Sequence, residues 1–446
     1  MTPGARVAAA IGLLSAIDQG GAPADEIMGG YFRRHRFAGA KDRSAISEHV
    51  FGVLRHRASL DWWLARAGAA PDARKRLLAS LVLVEHWRPG EIAKACDGDR
   101  FRPEPLDAGE RDMLAEFQEN DLVHSGMPAE ARGNYPEWIG PALAAALGRD
   151  MPREMAALEE GGALDLRVNL LKTDREAARA ALAREGVEAM RTPLSPCGLR
   201  VFERIPLGTL DAFRNGLIEV QDEGSQIAAL LADAQPGLRV VDFCAGAGGK
   251  TLGLAASMAN RGHLVACDTS EKRLERATER IRRAGVSIVQ RKALSSARDP
   301  WVKRHAQGFD RVLVDAPCTG SGTWRRNPDA KWRLKPGDLE ELTALQAEIL
   351  DSAQRLVRPG GRLIYVTCSL LLEENERQVE RFLAGHEEFK LLPIAPIWQA
   401  TVGGDCPARG TMLRLSPARH GTDGFFEAIL ERAALAQKTP AADDAP

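Results

Sequence analysis

At 446 residues the chain exceeds the size at which one hydrophobic core keeps growing, so a single-domain reading is excluded and two or three domains are expected. With 44% hydrophobic and 27% charged residues, and no apolar run long enough to cross a bilayer, helical membrane insertion is excluded. The formal net charge of −1 advertises no nucleic-acid partner, so any such contact must come from local basic patches.

In chain order, residues Val7 to Leu122 have a helical pattern, with segments such as Arg43 to Val53 and Arg74 to His86 broken by Pro and Gly. The stretch from Ala8 to Leu14 is not a cleavable leader: Val7, Ile11, Leu14 and Ile17 fall at helical spacing and Asp18 follows. A cytoplasmic protein is expected. Residues Met127 to Pro136, rich in Gly, Pro and small polar side chains, suit a linker. Strands are then expected at Leu164 to Asn169, Leu199 to Phe202 and Leu217 to Val220, with a helix over Arg175 to Glu185, forming a small α+β module.

From Leu238 onward apolar strands alternate with helices, at Val240 to Phe243, Leu264 to Cys267, Val312 to Asp315 and Leu363 to Val366. Strands buried on both faces with crossover helices imply a doubly wound, Rossmann-like parallel sheet, an α/β fold. Segments Met412 to Leu415 and Phe425 to Leu430 suit a terminal antiparallel pair. The expected organisation is thus a helical domain over 1–130, linker and α+β module over 131–232, the α/β domain over 233–436, and a disordered Ala/Asp/Pro-rich tail over 437–446.

Immediately after the first strand of the sheet, Cys244, Ala245, Gly246, Ala247, Gly248, Gly249 and Lys250 open a helix over Leu252 to Met258. Glycines let backbone approach a ligand, and the helix start offers unpaired N–H groups. Such a loop alone is weak evidence, but the next strand ends in Asp268, placed to accept hydrogen bonds from ribose hydroxyls. An adenosine-type ligand follows, with NAD and S-adenosylmethionine both open; the spacing does not fit a Walker P-loop, and the competing role for Asp268 is a helix N-cap.

The seven cysteines are odd in number, scattered and without Cys-x-x-Cys spacing, so neither a disulfide framework nor a metal site is indicated. Two of them share a setting. Cys318, in Asp315-Ala316-Pro317-Cys318, and Cys368, in Thr367-Cys368-Ser369, each lie just past a strand's carboxyl end, the edge at which doubly wound sheets bind ligands. Cytosine C5 is too poor a nucleophile to attack a sulfonium methyl group until a thiolate adds at C6, and afterwards the C5 proton and the sulfur must both leave. Asp315 is suited to hold the N3/N4 edge of the base and to stabilise the charge that develops there.

These residues resemble the Sun/Nop2 group of RNA cytosine-C5 methyltransferases, and within it bacterial 16S rRNA enzymes with a NusB-like N-terminal domain. Arg167-Val168-Asn169-Leu170-Leu171-Lys172, Gln221-Asp222-Glu223-Gly224-Ser225-Gln226, the Gly-rich loop, both cysteine motifs, Glu373-Glu374-Asn375-Glu376 and Asp423-Gly424-Phe425-Phe426 carry the likeness. It implies Cys368 as nucleophile, Cys318 as the thiol that assists release, and an S-adenosylmethionine site lined by residues 244–250, Asp268 and Asp315. It also implies RNA contacts from Lys250, Arg167, Asn169 and Lys172, with small-subunit rRNA as the partner, tRNA as the alternative substrate, and a monomer needing neither metal nor membrane. Ala247 stands where the family has proline, and Gln290-Arg291-Lys292-Ala293 lacks the acid usually found near the adenine amino group. Two basic patches, one over Arg33, Arg34, His35, Arg36, Lys41 and Arg43 and one over Arg325, Arg326, Lys331, Arg333 and Lys335, are candidates for RNA; a helical protein-docking module is the competing reading of the N-terminal domain. A NAD-dependent oxidoreductase would leave both cysteines unexplained, and a non-catalytic RNA-assembly factor would not need them.

Overall fold

The computed structural model describes residues 1–434, so the expected tail at 437–446 lies outside the described residues. Two compact units emerge: Met1–Gly161 together with Thr323–Pro336, and Gly162–Gly322 together with the residues from Gly337 onward.

In the first unit every regular element among the described residues is helical. The opening helix, Pro3–Asp18, starts where the Thr2 hydroxyl accepts the Ala5 N–H at 3.2 Å and proline occupies the first turn. Its apolar face, Val7, Ala10 and Leu14, enters a core with Ile46, Val50, Trp63, Leu77 and Phe117. The stretch read as a linker is instead part of this core. Ala131 and Tyr135 are buried, and Asn134 accepts the Ser59 N–H at 3.0 Å, because its Gly and Pro residues shape turns rather than free the chain. The unit continues through helices Gly140–Leu147 and Met151–Glu159. Residues 323–336 complete it: Trp332 donates its indole N–H to Leu54 O at 2.6 Å, Arg55 donates to Arg325 O at 3.0 Å, and Asp329 accepts the Ala24 N–H at 3.1 Å.

The second unit holds two sheets. Strands β1 (Leu164–Val168), β2 (Met190–Arg191), β3 (Gly198–Val201) and β4 (Ile218–Val220) form an antiparallel sheet in the order β2-β3-β1-β4. The larger sheet contains β5 (Arg239–Asp242), β6 (His263–Asp268), β7 (Val289–Ala293), β8 (Phe309–Asp315), β9 (Val357–Thr367), β10 (Phe389–Leu391), β11 (Leu413–Leu415) and β12 (Phe425–Arg432). Its order is β10-β12-β9-β8-β5-β6-β7, with β11 paired to β12. Strands β5 to β9 run parallel, whereas β12 runs antiparallel to β9 and to β11, the terminal pair expected from the sequence. The α/β fold is doubly wound: from β5 the chain proceeds to β6 and β7 on one side and then crosses to β8 and β9 on the other. Ligands bind at the carboxyl ends of strands flanking such a reversal. No helix among the described residues is long and apolar enough to cross a membrane.

Candidate active site

Beyond the carboxyl end of β5 the chain turns through Cys244 to Gly248 into the helix Gly249–Ser257. Gly246 and Gly248 have φ of 55° and 81°, the left-handed region where only glycine is unstrained. The loop is braced on all sides. Asp268, at the end of β6, accepts the Gly246 N–H at 2.8 Å and the Ser270 N–H at 2.8 Å. It is therefore not the cap of the next helix, which is Ser270. Arg280 donates to Ala247 O at 2.8 Å and Arg167 to Gly249 O at 2.7 Å.

Lys250 sits on the first turn of that helix, buried, with its Nζ 2.8 Å from Asp315 Oδ2 and 5.1 Å from the centre of the Phe425 ring. Burial pulls its pKa down, but the charge of Asp315 and the hydrogen bond to it outweigh that and hold Lys250 above its ordinary value. Beneath it, Asp242 at the end of β5 accepts the Thr251 hydroxyl at 2.6 Å and is pushed by burial up to about 7.

Because β8 and β9 are neighbours in register, the two cysteine motifs that follow them meet. The Sγ atoms of Cys318 and Cys368 are 3.4 Å apart, and both side chains are partly exposed. Contact with Cys368, together with burial, raises the Cys318 thiol well above its usual range.

A buried carboxylate holds this arrangement. Glu374 accepts the Thr319 N–H at 2.8 Å, the Thr319 hydroxyl at 2.5 Å and the Gln346 amide at 3.0 Å. Tyr365 donates its hydroxyl to Glu374 O at 2.6 Å. Asn375 accepts the Thr367 hydroxyl at 2.6 Å and donates to Ser369 O at 2.9 Å. One acidic segment thus fixes the loops of both thiols.

Two family models match the chain: residues 229–431 match "16S rRNA methyltransferase RsmB/F", and residues 135–207 match the ferredoxin-like domain of RsmF/B-like proteins. The ribosomal RNA small subunit methyltransferase B of Sodalis glossinidius is 32% identical over 87% of this chain and 89% of its own. The chain belongs to the RsmB/F methyltransferase family. The solved structure of PH0851 covers 97% of it, and 99% of that protein, at 30% identity and a TM-score of 0.79. A methyltransferase homologue from Pyrococcus horikoshii is likewise 30% identical, over 68% of this chain and 97% of its own, with a TM-score of 0.58.

Membership makes S-adenosylmethionine the methyl donor, and the RsmB/F site suits it. Carboxylates end β5, β6 and β8 at Asp242, Asp268 and Asp315, around a loop whose left-handed glycines open space at a helix start. Where the sequence lacks an acid after β7, Ala293 pairs with Asp268 and is followed by the buried Leu294, and the charge of Lys292 acts on Asp299 further along the chain.

Three residues expected at RNA are committed elsewhere. Arg167 is buried against the Gly-rich loop and also bonds Gln221; Asn169 is buried and donates to Gly216 O and Ala284 O, both at 2.9 Å. Lys172 is exposed, but its ammonium donates to Asn215 O and Arg283 O at 2.8 and 2.7 Å. They tie β1 and the turn after it to the cofactor loop and to the end of helix Glu271–Ala284. Of the two basic patches, Arg33, Arg34, Arg36, Lys41 and Arg43 are exposed beside Phe37. In the second, Arg325 and Lys331 are buried, so it is not a solvated basic face. Sequence reasoning gave no role to Asp242, or to Glu374 and Asn375 beyond their place in a motif, although a buried acid flanking both thiol loops was there to find in Glu373-Glu374-Asn375-Glu376.

Proposed function

We propose that the protein methylates C5 of a cytosine in small-subunit ribosomal RNA, with Cys368 as the nucleophile and Cys318 assisting release. The observation that carries this reading is the thiol pair, 3.4 Å apart, in the loops that follow β8 and β9, with the Lys250–Asp315 ion pair at the end of β8. Contact with Cys368, together with burial, raises the Cys318 thiol well above its usual range and so keeps it protonated.

The Cys368 thiolate adds to C6 of the cytosine, and Asp315 holds the N3/N4 edge. Bound S-adenosylmethionine supplies the electrophilic methyl group. A general base then takes the C5 proton, the C–H bonding pair re-forms the C5–C6 double bond, and the sulfur departs as thiolate, a step the adjacent Cys318 assists. The ribosomal substrate is supported by the names of the relatives, and the exposed Arg33 to Arg43 cluster with Phe37 offers phosphate and base-stacking contacts in the helical unit.

Cys368→Ala is expected to abolish methyl transfer, and Cys318→Ala to accumulate a covalent protein–RNA adduct on a denaturing gel. An adduct in the Cys368 variant instead would exchange the two roles, and no adduct in either variant, with methyl transfer intact, would overturn the covalent route. Bisulfite sequencing of ribosomal and transfer RNA from cells with and without the gene identifies the modified cytosine.

A further inference from the structure

Glu427 stands in the middle of β12, and the cysteine chemistry leaves it unused. Its residue is 1% exposed, and among the described residues neither carboxyl oxygen has a hydrogen-bond partner. It pairs with Val366 of β9, two residues before Cys368, and with Leu413 of β11. Strand alternation puts it on the same face as Phe425, the ring that lies 5.1 Å from Lys250 Nζ. Lys250, from the helix after β5, and Asp315, at the end of β8, both act on it electrostatically.

A leucine or glutamine would fill this place at less cost to folding, because burying an acid without partners is unfavourable. Burial drives the carboxyl well above its ordinary range, so in the free protein it holds its proton. Lys250 meanwhile has one ionised partner, Asp315, the group required at the cytosine. When Asp315 turns to the base, a buried ammonium is left without a counter-ion.

We propose that Glu427 is the second counter-ion of Lys250 and the proton reserve of the cytosine site, a positioning residue that acts through Lys250 and Asp315. The inference rests on the cytosine-C5 reading above. As Asp315 turns to the base, Lys250 gives it one ammonium proton, swings to Glu427, with which it shares no hydrogen bond in the free protein, and takes the carboxyl proton, remaining a cation. As the Cys368 sulfur bonds to C6, the C5–C6 π pair becomes a C4–C5 double bond and the C4–N3 pair moves onto N3. N3 then takes the proton from Asp315. Charge balances: one negative charge leaves the Cys368 sulfur and one appears on Glu427, with Lys250 between two carboxylates. Elimination runs the same transfers backwards.

The test uses the full-length protein, S-adenosylmethionine and small-subunit rRNA transcribed with 5-fluorocytosine, which after methyl transfer has no C5 proton to lose and so holds the adduct. The infrared difference spectrum of the wild-type protein, adduct minus free, is expected to lose the carbonyl band of a protonated carboxyl group, a loss missing in Glu427→Gln. Glu427→Gln is expected to slow adduct formation by ~10²-fold with S-adenosylhomocysteine affinity and the KM for RNA unchanged, and Glu427→Asp to restore part of the rate. A band that persists in the wild-type adduct, or an unaltered rate in Glu427→Gln, overturns the proposal. Absence of any adduct in the wild-type protein overturns the cytosine-C5 reading itself, and this inference with it.

Discussion

Asp242 illustrates how one buried acid sets a stability profile. One of its oxygens accepts the Thr251 hydroxyl, while the other is buried without a partner among the described residues, and burial pushes the carboxyl up to about 7. In the unfolded chain the same group titrates near 4. Between about pH 4 and pH 7 the folded protein therefore binds more protons than the unfolded chain, so stability falls as pH rises through that window and the loss is complete above it. Asp242→Asn keeps an oxygen for Thr251 and cannot ionise. Thermal unfolding without cofactor should show a Tm at pH 8 higher than wild type by on the order of 5 °C, and a smaller decline between pH 4 and pH 7. Equal profiles for the two proteins would mean that Asp242 does not hold its proton in the fold.

At the scale of elements, the site depends on three backbones packed where side chains do not fit. Gly322 donates its N–H to Cys368 O at 3.0 Å, and Gly424 donates its own to Gly322 O at 2.8 Å. A Cβ on Gly424 would lie 2.6 Å from Gly322 Cα and 2.7 Å from Leu370. The loop after β8, the loop after β9 and the entry to β12 are thereby stacked in contact. Gly424→Ala must separate them, at a cost of ~2 kcal/mol. Stopped-flow or gel-based adduct formation should slow by more than ~10-fold, since a displacement of about 1 Å at a reacting pair costs about that much or more. Cofactor affinity, set by the loop after β5, should change little; an equal loss in both would place the damage in the whole fold.

On the scale of the molecule, the first unit is not a contiguous stretch of chain. Residues 323–336 belong to it, bringing the buried Trp324 and Lys331 and partners for Leu54 O, Arg55 and Ala24 N–H. Lys331 also donates to Arg55 O at 3.1 Å, and burial lowers its pKa to about 7. A fragment of residues 1–161 leaves these groups without partners and opens a cavity. Its Tm should lie at least ~5 °C below that of the same fragment mixed with a saturating 323–336 peptide. No response to the peptide would show that the segment adds nothing to the unit's stability.

The chain's own order of residues was enough for the α/β class, and it singled out the loop of residues 244–250, Asp268 and the two cysteines as candidates, because strand periodicity, glycine geometry and residues at strand ends are local properties. Other features required distant segments to meet. The 3.4 Å thiol pair depends on β8 and β9 being neighbours, and the membership of residues 323–336 on hydrogen bonds to helices near Arg55. The burial of Arg167, Asn169, Arg325 and Lys331 reversed their reading as RNA contacts, since a basic side chain looks the same in sequence whether it meets water or a buried carbonyl. Glu427 reads as an ordinary strand residue until pairing with β9 and β11 encloses it; only enclosure, which removes water from both oxygens, turns that carboxylate into a group that holds its proton.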